Sequence, residues 1–338
     1  MQRRHLGRTG IHVSSLTLGC MMFGGRTSAE ESQVIIDHAI GAGVNFLDTA
    51  NVYNDGKSEE VVGEALRRNG HRQRVVLATK VHGNMHKGDA LDPNQAGNSR
   101  RQIIEQAEAS LRRLRTDWID LYQIHRPQPE CAIDETLRAL DDLVRSGKVR
   151  YIGSSTFAAW QVVESLWASK ELGLNRFVTE QPPYNILDRR IERELIPACR
   201  TFGIAIIPWS PLAGGFLSGK YRRKGEQPEG RFSKGDHPRS AGLLGSARAF
   251  EAVDALQAVA EERRATVSQL SLAWVLRQPG IASPIIGPRT LAQLEDNLKA
   301  LDVALTTEDL ARIDAVNPPG GVIVPFYEAA FGPHEHRW

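Results

Sequence analysis

Cysteine is scarce in this chain of 338 residues, which contains Cys20, Cys131 and Cys199 and no C-x-x-C pair. An odd number of widely spaced cysteines argues against a disulfide framework and favours a reduced, cytoplasmic protein. An excess of one charge is also missing, because 42 basic and 40 acidic residues give a formal net charge of +2. This balance gives no support to nucleic-acid binding, for which a clustered basic face is expected.

Long apolar runs are absent as well. No stretch approaches the ~18 consecutive apolar residues that a membrane-spanning helix needs. The charged start, Met1–His5, is not followed by the apolar segment of a signal peptide. We therefore expect a cytoplasmic protein that does not contact a membrane.

Two glycine-rich segments lack the residues that would make them nucleotide-binding motifs. The segment Gly19–Gly25 has no G-x-G-x-x-G pattern. The segment Gly214–Lys220 has the spacing of a P-loop, but Tyr221 follows where a Ser or Thr must bind Mg²⁺. This excludes NTP hydrolysis, although a basic glycine-rich loop could still contact a pyrophosphate.

The sequence does contain a regular alternation of short apolar runs and amphipathic stretches. A hairpin with its turn at Arg8–Gly10 is predicted first, followed by eight strands at 15–19, 44–48, 75–80, 119–125, 149–154, 177–181, 204–209 and 282–286. Helices are predicted at about 30–42, 59–68, 101–114, 133–145, 160–172 and 191–202. Eight β→α units at even spacing predict an α/β protein, a (β/α)₈ TIM barrel, as one domain over residues 1–338.

A doubly wound sheet is the alternative fold, but its usual glycine-rich turn after the first strand is missing. Three segments interrupt the alternation: 81–99, 211–245, and a tail from about 317 to 338 that carries Phe326, Tyr327, Phe331 and Trp338. Loops of this length are typically functional lids or binding segments, or disordered. In a barrel the first two would lie on the C-terminal face, where active sites form.

Polar residues stand at the downstream ends of three consecutive predicted strands. Asp48 ends the second strand, Lys80 the third and His125 the fourth, while Tyr53 follows Asp48 in a turn-like segment. Because the downstream ends of parallel barrel strands meet at one face, we expect these four side chains to converge. Each residue alone has an ordinary structural explanation, such as a rim salt bridge for Asp48 and Lys80, but their joint placement favours a catalytic site.

A carboxylate, a phenol, an ammonium and an imidazole at one site can protonate a carbonyl oxygen. A free phenol, with a pKa near ~10, is a weak acid at neutral pH, and an adjacent ammonium favours its ionised form. We therefore predict that Tyr53 donates the proton, that Lys80 tunes it, and that Asp48 holds Lys80 in place. A neutral His125 would orient the carbonyl group.

The remaining histidines do not suggest a metal site. His82 and His86 are four residues apart but lie in a Gly/Asn-rich loop without a suitably spaced carboxylate, and His334 and His336 belong to the tail. No metal is expected.

At these residues the sequence resembles the aldo-keto reductase superfamily, and in particular a bacterial branch related to the potassium-channel beta-subunit group. The resemblance rests on Asp48-Thr49-Ala50-x-x-Tyr53, on Thr79-Lys80, and on Gln123-Ile124-His125-Arg126-Pro127, which occur in order. It implies a catalytic tetrad of Asp48, Tyr53, Lys80 and His125, the cofactor NADP(H), and reduction of a small-molecule carbonyl substrate. Oligomeric state stays open.

The resemblance also implies cofactor-binding positions. Ser155, Thr156 and Gln181 would hold the nicotinamide carboxamide, and Trp209 would stack on the ring. Cys20 and Met21 would lie near the nicotinamide ribose, and Asp48 would also be a cofactor-binding position. The pyrophosphate would contact Ser210, Pro211, Leu212, Gly214, Lys220 and Arg231, and the adenosine 2′-phosphate and adenine would contact Gly287, Arg289, Gln293, Asp296 and Asn297. The chain departs from many relatives at two of these positions, where Thr156 replaces Asn and Cys20 replaces Thr.

Two other functions remain open on the sequence. The first is an NADPH-binding regulatory subunit or redox sensor with slow turnover, as in the channel-associated relatives. The second is a ketoreductase acting on nucleotide-linked deoxysugars.

Overall fold

The strands follow the sequence pattern closely in the computed structural model, which describes residues 1–85, 92–232 and 240–325. An antiparallel hairpin of β1 (Arg3–His5) and β2 (His12–Ser14) comes first. The other strands are β3 (Thr17–Gly19), β4 (Phe46–Asp48), β5 (Val76–Val81), β6 (Ile119–Ile124), β7 (Val149–Ser155), β8 (Phe177–Gln181), β9 (Ala205–Ile206) and β10 (Ile285–Ile286).

The helices of the described residues lie between and after these strands. They are α1 (Ala29–Gly41), α2 (Lys57–Asn69), α3 (Arg100–Leu114), α4 (Ile133–Arg145), α5 (Ala159–Leu172), α6 (Leu195–Phe202), α7 (Ser240–Leu244), α8 (Ala247–Glu262), α9 (Val267–Arg277), α10 (Leu291–Leu298) and α11 (Thr307–Val316). The helices from α1 to α5 begin and end within two residues of the predicted bounds.

Strands β3 to β10 form one parallel sheet in the order β10-β3-β4-β5-β6-β7-β8-β9. The two ends of this sheet meet, because the Ala282 N–H donates to the Ile206 carbonyl at 2.8 Å and the Ile285 N–H to the Pro208 carbonyl at 2.9 Å. The sheet is therefore curled into a (β/α)₈ barrel, and the predicted fold class is confirmed.

The N-terminal hairpin closes one end of the barrel. Leu6, which follows β1, and Val13, in β2, are fully buried and pack with Phe46, Val76 and other interior residues of the strands. The outward-facing strand residues pack under the helices, so both faces of the sheet are buried. The interior of the barrel is therefore filled with side chains at this end.

The last two strands are shorter than predicted. Strand β9 ends at Ile206 rather than at residue 209, and β10 begins at Ile285 rather than at residue 282. Pro208 and Pro284 lie in the missing parts, and proline has no N–H to donate to a neighbouring strand. The hydrogen bonds that close the barrel therefore involve few residues on each side.

The prediction of evenly spaced β→α units was wrong for the seventh unit. Among the described residues, three helices, α7, α8 and α9, lie between β9 and β10. Helix α6 begins at Leu195, after a short 3₁₀ turn at Arg190–Glu192, rather than at residue 191. The predicted irregular segment 211–245 contains a 3₁₀ stretch, Ala213–Ser218, and helix α7.

No helix among the described ranges combines the length and the apolar character that crossing a membrane requires. The aromatic residues of the C-terminal tail, Phe326, Tyr327, Phe331 and Trp338, lie outside the described residues.

Candidate active site

Lys80 is the centre of a polar cluster at the C-terminal end of the barrel. Its side chain is fully buried, and Nζ donates to Asp48 Oδ2 at 2.6 Å and to the Thr49 carbonyl at 2.7 Å. A third bond joins Nζ to the Tyr53 hydroxyl at 3.4 Å. Burial alone disfavours the ammonium, but the Asp48 carboxylate and the Tyr53 phenol raise the pKa of Lys80 above its usual value. Lys80 is therefore charged at neutral pH.

The register of the parallel strands explains why these side chains meet. Asp48 on β4 is paired with Ala78 on β5, and Lys80 is paired with Gln123 on β6. Side chains two residues apart on a strand point to the same face, so Lys80 lies one layer above Ala78 on the inner side of the barrel. The Asp48 carboxylate also accepts from Gln123 Nε2 at 3.2 Å and from Gln181 Nε2 at 3.0 Å. Side chains from three strands, β5, β6 and β8, therefore hold this carboxylate in place.

Tyr53 lies on a short turn after β4 whose backbone conformation is special. Asn54 and Asp55 have positive φ angles of 50° and 56°, and Gly56 follows at 88°. Asn and Asp tolerate this region better than other side chains. The Asn54 amide donates to the Met21 and Phe23 carbonyls at 3.0 and 2.8 Å, which ties the turn to the loop after β3. This turn therefore holds Tyr53 where its hydroxyl lies 3.4 Å from Lys80 Nζ.

His125 completes the cluster from the end of β6. Its ring and the Tyr53 ring lie edge to face, with centroids 5.7 Å apart and an interplanar angle of 81°. Burial, together with the cationic Arg126 and Lys80 side chains, holds the pKa of His125 well below its usual value. The imidazole is therefore neutral at physiological pH and can donate one N–H to a ligand oxygen.

A cleft of about 910 Å³ opens above this cluster. Its lining includes three of the four predicted catalytic residues, Asp48, Tyr53 and His125, while Lys80 is buried beneath them. The volume is within the range of cofactor and ligand sites. The other predicted residues that line it are Met21, Ser155, Gln181, Trp209, Ser210, Pro211, Leu212, Gly214, Lys220, Arg231, Gly287, Arg289, Gln293, Asp296 and Asn297.

Cys20 and Thr156, by contrast, do not line the cleft. The Cys20 thiol is fully buried and points to the Leu18 carbonyl, 3.6 Å away. The Thr156 hydroxyl accepts from Arg126 Nη1 at 2.8 Å, and the residue has a positive φ of 64°, unusual for a β-branched side chain. The expected cofactor contacts of Cys20 and Thr156 therefore stay predictions, and neither side chain lines the cleft in this structure.

Sequence reasoning missed Arg26 and Arg126, both of which line the cleft. Arg126 directly follows His125 in the strand-end motif, so its position in the sequence could have indicated that it lies at the cleft. Arg26 follows two glycines in a loop, and nothing in its sequence context indicated a place in the cleft. Arg26 Nη2 donates to the Gly230 carbonyl at 3.4 Å, and Lys220 Nζ donates to the adjacent Glu229 carbonyl at 3.1 Å. Burial lowers the pKa of Lys220 and of Arg231, and the nearby charge of Arg26 adds to both shifts. The cleft therefore contains a cluster of cations, which favours an anionic ligand.

The segment Gly153–Phe157, which carries Ser155, is held by the buried carboxylate of Glu180. This group accepts from the Ser154 hydroxyl at 2.5 Å and from the Phe157 N–H at 3.1 Å. Burial raises the pKa of Glu180 to about 8, although these hydrogen bonds act in the opposite direction. A folded-state pKa above the usual value makes the native state bind more protons than the unfolded chain between about pH 4.5 and 8.

The free energy of unfolding should consequently fall as the pH rises from 6.5 to 8. One titrating group contributes a slope of up to about 1.4 kcal/mol per pH unit. Glu180→Gln keeps an oxygen for the Phe157 N–H and cannot titrate, so we expect its unfolding free energy to depend less on pH in this window. Urea denaturation at several pH values measures the difference, and equal slopes in the two proteins would contradict the prediction.

Groups of three or more His, Cys, Asp or Glu side chains arranged to hold a metal do not occur among residues 1–85, 92–232 and 240–325. The His82 ring is hydrogen-bonded to Asn98. His86, His334 and His336 lie outside the described residues.

Comparison with known proteins agrees with the barrel fold. The Aldo/keto reductase family model matches residues 15–318. The chain is 39% identical to YrpG, an uncharacterised oxidoreductase of Bacillus subtilis, with 95% of this chain and 98% of YrpG covered. It is 35% identical to a probable voltage-gated potassium channel subunit beta of Oryza sativa, with 94% and 96% covered. It is 34% identical to the versiconal hemiacetal acetate reductase of Aspergillus parasiticus, with 95% and 98% covered.

The family match spans nearly all of the described barrel, and each of these relatives is covered almost completely. The chain therefore belongs to the aldo/keto reductase family, whose members are oxidoreductases that generally use a nicotinamide cofactor.

Proposed function

We propose that this protein reduces an aldehyde or ketone to the alcohol with NADPH, and that Tyr53 is the general acid. The observation that carries the proposal is the bonded series Asp48–Lys80–Tyr53, with Nζ 2.6 Å from Asp48 Oδ2 and 3.4 Å from the Tyr53 hydroxyl. This series lies beneath a cleft that His125 also lines. A buried ammonium beside a phenol is the arrangement that lets a phenol take part in proton transfer.

Each residue of the cluster has a separate task in the proposed reaction. Bound NADPH supplies the hydride. Tyr53 gives its proton to the carbonyl oxygen, and Lys80 stabilises the phenolate that forms. Asp48 keeps the ammonium in place, and Gln123 and Gln181 keep Asp48 in place. The neutral His125 donates to the same carbonyl oxygen and fixes the angle of the carbonyl group. A correctly oriented carbonyl group reacts faster.

The residues of the cleft fit a dinucleotide. Gly215 and Gly287 line the cleft, and a Cβ added to either would enter open space, so these glycines leave room for a ligand beside the backbone. Lys220 and Arg231 are suited to the pyrophosphate, and Trp209 offers an aromatic face to the nicotinamide. At the far end, Arg289 precedes helix α10, whose N-cap is Thr290.

Arg289 is proposed to select NADPH over NADH. A guanidinium forms two parallel hydrogen bonds to a phosphate, and a helix N-terminus also favours an anion. The Asp296 carboxylate accepts from Gln269 Nε2 at 2.6 Å, so it already has a protein partner. Charged hydrogen bonds contribute about 1.5–3 kcal/mol. We therefore expect Arg289→Ala to weaken NADPH binding roughly ten- to a hundredfold and NADH binding little.

Titration of both cofactors into the wild type and the variant measures this selectivity. Lys220→Ala is the matched control, because the pyrophosphate is common to NADPH and NADH and both should weaken alike. Equal losses of the two cofactors in Arg289→Ala would show that Arg289 does not contact the 2′-phosphate.

The function itself is tested by multiple-turnover kinetics with NADPH and a panel of aldehydes and ketones, followed by cofactor absorbance. We expect turnover of at least one carbonyl class. Tight NADPH binding without turnover of any carbonyl would refute the enzymatic proposal and favour a regulatory subunit. That second candidate is supported by the 35% identity to a probable potassium channel subunit beta.

A further inference from the structure

Arg126 connects the ends of two neighbouring strands at the rim of the cleft. The pairing of β6 with β7 ends at Ile124 and Ser154. Just beyond this point, Arg126 Nη1 donates to the His125 carbonyl at 2.8 Å and to the Thr156 hydroxyl at 2.8 Å. A side chain therefore joins the two strand ends where their backbone pairing stops.

Both ends of this connection belong to the proposed active site. His125 lines the cleft and is the proposed donor to the substrate carbonyl. Thr156 directly follows Ser155, which also lines the cleft. The Thr156 N–H and the Ser155 hydroxyl both donate to the Gln181 carbonyl, at 3.2 and 2.8 Å. The Arg126 guanidinium therefore links the imidazole to the segment that is predicted to hold the nicotinamide carboxamide.

The backbone at Thr156 needs support from its surroundings. Its φ angle is 64°, in the left-handed region that β-branched side chains rarely adopt. Such a conformation persists only where neighbouring contacts hold it, and it is found most often at functional sites. Thr156 is fully buried, and Arg126 provides a charge-assisted hydrogen bond to its hydroxyl. Loss of this bond should therefore let the segment around Ser155 relax.

We propose that Arg126 is a positioning residue of the reaction, which holds the His125 imidazole and the Ser155–Thr156 segment in a fixed relative position. The imidazole orients the carbonyl and the segment orients the nicotinamide, so their relative position sets how the two reactants meet. A displacement of about 1 Å in such an arrangement can cost on the order of 100-fold in rate. This role rests on the proposed carbonyl reduction and requires no contact between Arg126 and the substrate.

Arg126→Met is the first test, because methionine keeps an unbranched apolar stem and removes the guanidinium. With NADPH and an aldehyde that the wild type reduces, we expect kcat to fall about 10- to 100-fold. The Kd for NADPH should stay within a few fold of the wild type, because the lost bonds join protein groups to each other. A direct role of Arg126 in binding an anionic group of the cofactor would instead raise this Kd and leave kcat unchanged.

Arg176→Met is the matched control. Arg176 is also a partly buried arginine that donates to a backbone carbonyl, that of Phe202, at 2.6 Å. It precedes β8 at the N-terminal end of the barrel, remote from the cleft. We therefore expect Arg176→Met to keep the kcat of the wild type.

A double-variant cycle tests the connection itself. Thr156→Val removes the accepting hydroxyl and keeps the β-branched shape, so we expect kcat to fall about tenfold. Thr156→Ser keeps the hydroxyl and should retain most of the kcat. If Arg126 and Thr156 act through one bond, the double variant of Arg126→Met and Thr156→Val should match the kcat of Arg126→Met within about twofold.

An Arg126→Met protein that keeps its kcat would overturn the proposal, whether or not its NADPH Kd rises. Losses of kcat that multiply in the double variant would also overturn it, since the two side chains would then act independently. If Arg126→Met does not fold, equal kcat values for Thr156→Val and Thr156→Ser would overturn the proposal instead. A wild type that reduces no carbonyl would refute the proposed function as well, whereas an active wild type with any of these results would refute the positioning role alone.

Discussion

Tyr53→Phe is expected to reduce the kcat for a simple aldehyde by about 10²–10⁴-fold, the usual contribution of general acid catalysis. The hydroxyl is the atom that contacts Lys80 Nζ, at 3.4 Å, and the substitution removes this atom alone. The phenyl ring retains the edge-to-face contact with His125. We therefore expect an intact fold and NADPH affinity within a few fold of the wild type.

Steady-state kinetics and cofactor titration of the same preparation measure both quantities. Tyr151→Phe is a matched control, because Tyr151 packs with the residues of the barrel interior and does not line the cleft. A Tyr53→Phe protein that keeps most of its kcat would show that another group supplies the proton.

Lys80→Met should abolish most turnover and also destabilise the protein. Lys80 is fully buried and bonded to the nearly buried Asp48, and removing one partner of a buried ion pair typically costs about 3–5 kcal/mol. The cost arises because the Asp48 carboxylate keeps only its amide donors, Gln123 and Gln181. Activity falls for a second reason, since the phenolate of Tyr53 loses its stabilising charge.

A double variant, Lys80→Met with Asp48→Asn, separates the two effects. Neutralising the carboxylate removes the unpaired buried charge, so the unfolding free energy should largely recover while turnover should not. Urea denaturation and aldehyde kinetics on the single and double variants provide the comparison. Recovery of activity together with stability would mean that Lys80 has a structural role and does not assist Tyr53.

The barrel could be predicted because its signal is local. The runs that became β4, β5 and β6 are short, apolar and bounded by helical periodicity, and each property belongs to a few consecutive residues. The seventh unit was predicted poorly for the same reason. Its strand is interrupted by Pro208, and α8 and α9 follow a long irregular segment, so the alternation of strand and helix was lost there.

The meeting of the polar side chains at one end of the barrel is observed in the structure, whereas their catalytic roles stay predictions until the variants are measured. Parallel strands carry their C-terminal ends to one face whatever the details of the fold, so Asp48, Lys80 and His125 had to meet once the strands were known. The extent of the domain over residues 1–338 and the cytoplasmic location also stay predictions.

The cleft lining was harder to predict, because it depends on how loops from different units approach each other. Arg26 and Lys220 are far apart in sequence, yet in the folded protein they donate to the adjacent carbonyls of Gly230 and Glu229. The side-chain directions of Cys20 and Thr156 depend on local burial and on the Arg126 bond, not on their place in a motif.

The sequence by itself determined the fold class, the order of the strands and the end of the barrel at which the polar residues gather, since periodicity and strand direction are properties of the chain. The tertiary structure alone decided which cations share the cleft, how Lys80 is bonded to both Asp48 and Tyr53, and that Trp160 and Trp167 stay exposed on α5. These features depend on distances between segments that are remote in sequence, and such distances are set only when the elements pack together.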